Sequence, residues 1–77
     1  MIDGEIALTD TFGGEANFAW VRRGHIPPEV LAKGTRASIR YAKQWAGLSG
    51  IRCRKVDTGD EIALYPAGLC QVLFVTW

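Results

Sequence analysis

"CQVLFVTW", residues 70–77, decides the fold, because it is an eight-residue run of apolar and β-branched residues with no polar face. A strand that is apolar on both sides belongs in the interior of a sheet, with a neighbour on each flank. Upstream of it the turn residues "PAG" (66–68) are preceded by Glu61 to Tyr65, which follow the turn "DTGD" (57–60). Before that turn Ile51 to Val56 alternates in part, so the last third of the chain reads as β structure.

The first third supplies a hairpin. Ile6 and Leu8 alternate with Glu5, Ala7 and Thr9, and Phe18 and Trp20 alternate with Asn17, Ala19 and Val21. Between them Asp10 to Ala16 holds Gly13-Gly14, and glycine pairs supply the positive φ values of tight turns. The middle segment "HIPPEVLAKG" (25–34) admits a short helical turn with Pro28 near its start, closed by Gly34. Thr35 stands where an N-cap belongs, Arg36 to Ala46 reads as helix, and Gly47 supplies the stop. Ser38, Ala42 and Trp45 share a stripe with Ile39 and Ala46 beside it, so this face belongs on the sheet. The expectation is a single α+β domain over 1–77 with four or five antiparallel strands and one main helix across one face. Its order is β-β-α-β-β(-β).

With 77 residues, the chain buries about 60% of its unfolded surface and has little room for an enclosed ligand pocket. A surface for another macromolecule suits it better. Hydrophobic residues at 48%, charged residues at 22% and the lack of a low-complexity tract mark a folded domain. No run reaches the ~20 apolar residues of a membrane helix, and Met1 to Asp10 lacks the pattern of a signal peptide. A cytoplasmic protein is expected, with Cys53 and Cys70 as buried, reduced thiols and a single bridge between them left open. With His25 the only histidine, a four-ligand structural zinc site cannot be completed in one protomer, and no cofactor motif is present.

Charge is informative in its distribution. All nine Lys and Arg lie between Arg22 and Lys55, where Glu29 is the only acid, a balance of +8. Residues 1–21 hold four acids and residues 56–77 hold three. Asp10, Glu15, Asp57, Asp60 and Glu61 fall at or beside predicted hairpin ends. They are candidates for an acidic contact side, with Asn17 and Phe18 as contacts next to the first tip. Opposite it, Arg22, Arg23, Arg36, Arg40, Lys43, Arg52 and Arg54 are candidates for a basic face.

Catalysis finds no support in the motifs. His25 has no acid or nucleophile at a known spacing, and "TFGGEA" lacks the dinucleotide fingerprint and leads into a strand. The basic residues suit phosphate neutralisation, and Phe18 or Trp20 suits base stacking. Against that, the net charge of +1 falls short of the basic excess that dedicated nucleic-acid binders show.

"LTDTFGGEANFAWVRRG" (8–24) and "SGIRCRKVDTGDEIALYPAGLCQVLFVTW" (49–77) resemble a group of small proteins of phages and mobile elements. These share the Thr-Asp-Thr-Phe-Gly-Gly-Glu-Ala-Asn start, an aromatic second strand, Arg-Cys in the third and Cys-Gln-Val in the last. The likeness covers both ends and is looser from His25 to Ala46. Within that group the sequence is similar to type I-C anti-CRISPR proteins. The resemblance implies a non-enzymatic protein of the bacterial host cytoplasm that binds a CRISPR surveillance complex (Cascade) and blocks its capture of target DNA. Its acidic side would enter the positive groove of that complex, the basic face is the alternative contact, and self-association through the apolar last strand, ending at Trp77, is a further expectation.

Overall fold

Alternation along the chain builds the sheet strand by strand. The computed structural model describes residues 4–13, 15–59 and 61–76. Its elements are β1 (Gly4–Phe12), β2 (Glu15–Ile26), α1 (Pro28–Leu31), α2 (Thr35–Trp45), β3 (Cys53–Asp57), β4 (Glu61–Pro66) and β5 (Gln71–Thr76). All neighbouring strands are antiparallel, in the order β2-β1-β5-β4-β3. The two-sided apolar strand β5 thus lies at the centre, and the α+β architecture with one main helix holds.

That central place corrects one expectation. From Leu73 to Thr76 both edges of β5 are paired within the sheet, so this stretch offers no free edge for self-association. The outer strands are β2 and β3, and β3 carries Arg54, Lys55 and Asp57, charges that discourage edge pairing. Trp77 lies outside the described residues.

Register explains the core. Ile6, Val75 and Ile62 stand side by side on three strands, and Leu8, Leu73 and Leu64 form the next row. All six are buried, each contributing roughly 1.5–3 kcal/mol by leaving water. Helix α2 covers them with Ser38 and Ala42, one turn apart and both buried, whose small side chains let the helix approach the sheet closely. Val30, Leu31, Ile39 and Trp45 close the margins.

The helix begins one residue away from the expected cap. Gly34, with φ of 107°, occupies the N-cap, and Thr35 is the first helical residue. The chain leaves the α1 turn through a positive φ that threonine resists, so glycine takes the position. At the other end Gly47 has φ of 75°, its N–H bonds to the Gln44 carbonyl, and the Leu48 N–H bonds to that of Lys43. This pair of bonds is a Schellman stop, and buried Leu48 supplies its apolar contact. Gly24 has a different reason to be glycine: a Cβ there would stand 2.8 Å from the Trp45 ring, which lies on β2 and carries the Arg22 guanidinium 5.0 Å from its centroid.

Candidate functional site

One carboxylate reshapes the first hairpin. From Gly4 to Thr9 strand β1 pairs regularly with β2, and Thr11 pairs with Ala16. Between these pairs Asp10 alone stands opposite four residues, Asn17 to Trp20. Its carboxylate fills the gap, accepting the Asn17 amide at 2.9 Å and the Ala19 backbone N–H at 2.9 Å. The Thr9 hydroxyl donates to the Trp20 carbonyl at 2.8 Å. The Asn17 amide, aided by the Ala19 N–H, holds the Asp10 carboxyl below the usual carboxylate range. The simple alternation read for Asn17 to Val21 fails here, because the four-residue excursion breaks the period of two.

The excursion displays an aromatic ring. Phe18 takes φ of 57°, the only positive value at a non-glycine among the described residues. Its ring stacks parallel to Phe74 of β5, with centroids 6.4 Å apart, yet 57% of the residue stays exposed. A left-handed conformation costs a side-chain-bearing residue about 1–2 kcal/mol. Surrounding contacts must impose it.

Phe18 and Phe74 border a groove of about 480 Å³ on the face of the sheet that α2 leaves open. Two cross-sheet rows make its floor and rim. Arg23, Ala7 and Phe74 form one, and His25, Glu5, Thr76 and Glu61 form the other. The floor is apolar, and charges of both signs stand around it. Such a surface suits a folded partner with an apolar protrusion and polar surroundings.

The predicted acidic side is not assembled. Asp10 and Glu15 lie at the tip end of the first hairpin, whereas Asp57 and Glu61 lie at the opposite end of the sheet, about 17 Å away along the strands. Two of these acids already serve the chain itself: Asp10 bridges the bulge, and Asp57 accepts the Gly59 N–H in its own turn at 2.9 Å. Asp60 lies outside the described residues. Asn17 is a donor to Asp10, and of the predicted contacts Phe18, Glu61 and Arg23 reach the groove.

The predicted basic face divides as well. Arg23 and Arg54 belong to the open face, Arg54 with its guanidinium 4.6 Å from the Tyr65 ring centroid. Arg22 lies on Trp45, and Arg52 precedes β3 with its carbonyl bonded to the Ala67 N–H. Only Arg36, Arg40 and Lys43 come together, in a shallow groove of about 310 Å³ between α2 and the loop after it. Glu5, His25 and Phe74 escaped the sequence reading. The polar parity of Glu5 was visible, but its neighbours come from cross-strand register.

No family model matches the chain, and no curated protein or solved structure matches it either. Among the described residues no helix is long and apolar enough to cross a membrane. Among the described residues no group of three or more His, Cys, Asp or Glu could hold a metal ion. Cys53 and Cys70 are both free thiols; Cys53 is half-buried against the core, while Cys70 is exposed. The expectation of two buried thiols is corrected for both: Cys53 is only half-buried, and Cys70 sits in the turn before β5 rather than in the strand.

Proposed function

We propose that this domain is a binding protein, not an enzyme, and that it inhibits a type I-C CRISPR surveillance complex by docking on one of its protein subunits through the open face of the sheet. The partner is the one that the resemblance implies. Phe18 carries the proposal, being an exposed aromatic held in a strained conformation over an apolar floor. Strain of this kind clusters at functional positions, and aromatic anchors dominate binding energy at interfaces.

Entry of one acidic surface into a DNA groove does not suit this molecule, since its acids lie at opposite ends of the sheet. Docking through an aromatic anchor does. Arg23, His25, Glu5 and Glu61 around the groove would set orientation and reject wrong partners. On this account the protein works in the cytoplasm of an infected bacterium and blocks target-DNA capture by the complex.

Binding of the purified complex to the immobilised protein tests the assignment. Phe18→Ala should weaken it about thirtyfold or more, the effect of losing a central anchor. The charge reversal Glu61→Lys should act less strongly, through the rim. Equal affinity for wild type and Phe18→Ala would remove the open face from the interface.

A further inference from the structure

The outer face of α2 is the second organised surface. Its sequence, "TRASIRYAKQW", contains no acid, and Arg36, Arg40 and Lys43 follow one another at spacings of four and three. Like charges at these spacings repel along a helix by some tenths of a kcal/mol per pair. Soluble surfaces ordinarily intersperse the two signs. Here three cations converge on one groove with Ser49, Gly50 and Ile39. Arg36 and Arg40 are exposed, whereas Lys43 is half-buried and donates to the Ile51 carbonyl at 2.8 Å, fixing the loop against the helix.

We infer that this groove is a phosphate-backbone site for duplex DNA. From Arg36 to Lys43 the helix rises about 10 Å. Three long, flexible cationic side chains spread over that rise can each meet one phosphate of a DNA backbone, so about three contacts are expected. A net charge of +1 does not oppose this, because the field at contact range is local and no acid among the described residues lines the groove. Asp10, Glu15, Asp57 and Glu61 are at the sheet ends, Glu5 is on the open face, and Glu29 is on α1, which packs against α2. The groove contains no aromatic ring, so unstacked bases would find no platform there, and a duplex is preferred over a single strand. Binding is independent of sequence, since nothing in the groove is arranged to read base edges.

The site lies across the sheet from the Phe18 groove, and the inference does not depend on the docking assignment. Fluorescence anisotropy with a labelled random-sequence DNA duplex, titrated between 50 and 200 mM salt, tests it. Three phosphate contacts predict a slope of about −2.7 in log K against log salt, or about a fortyfold loss over that range. Arg36→Gln/Arg40→Gln should bring the slope near −0.9 and leave the melting temperature unchanged. Lys43 is kept because of its bond to the loop. Phe18→Ala should bind the duplex as wild type does, which separates this site from the open face. No duplex binding at 50 mM salt, an unaltered slope in the double variant, equal binding to polyglutamate, or tighter binding to a single-stranded oligothymidine would overturn it.

Discussion

The sheet ends in two outer hairpins, β1–β2 and β3–β4, that differ in where a carboxylate falls. In β3–β4 the ladder is regular from Cys53 opposite Pro66 to Asp57 opposite Ile62, and Asp57 completes the turn by accepting the Gly59 N–H. In β1–β2 the carboxylate of Asp10 sits inside the paired region, where it supports an excursion of four residues and turns Phe18 over the open face. A carboxylate at a strand end finishes the ladder, whereas one within it sustains an irregularity. The irregular hairpin is the one that displays an anchor.

The largest expected effect removes what both hairpins lean on. Leu73→Ala in β5 should cost about 2–5 kcal/mol in chemical denaturation, while Phe12→Ala, 79% exposed at the first tip, should stay within about 0.5 kcal/mol. Gly24→Ala strikes the β1–β2 side alone. Its methyl group would meet the Trp45 ring, and a loss of about 1–3 kcal/mol is expected, with the Trp45 fluorescence environment altered.

Phe18 sharpens the comparison, because its backbone and its ring can be separated. Phe18→Gly should be more stable than Phe18→Ala by about 1 kcal/mol, since glycine takes φ of 57° freely and alanine does not. Equal stabilities would mean that the left-handed conformation is not imposed by the fold. Regular β3 offers no position at which the same exchange should favour glycine.

The smallest effect is one of pH. The Asp10 carboxyl is held below its ordinary value of 3.8, so the unfolded chain binds the proton more readily than the folded one. Stability from this group is therefore complete above 3.8 and is lost as pH falls below it through the lowered folded value. Asp10→Asn should lessen the acid sensitivity in that window, as read by melting temperature against pH. An unchanged profile would show that Asp10 does not govern the bulge.

Much of the fold was legible because it rests on local patterns. The two-sided apolarity of Val72 to Val75 placed β5 in the centre, and the spacing of Ser38 and Ala42 gave the buried face of α2. The site was less legible. That Asp10 and Asp57 lie at opposite ends depends on strand order, and the excursion at Asn17 to Trp20 depends on hydrogen bonds that no period predicts. Sequence proximity to a turn marked both acids as contacts, although their carboxylates are engaged by their own hairpins.

Target-DNA capture by a purified type I-C surveillance complex, at 150 mM salt where backbone contacts of α2 are weakened, tests the central claim most directly. Wild-type protein should abolish capture, and Phe18→Ala, correctly folded, should leave most of it intact. Normal capture in the presence of the wild type, or equal inhibition by Phe18→Ala, would contradict the assignment of the open face as an inhibitory surface.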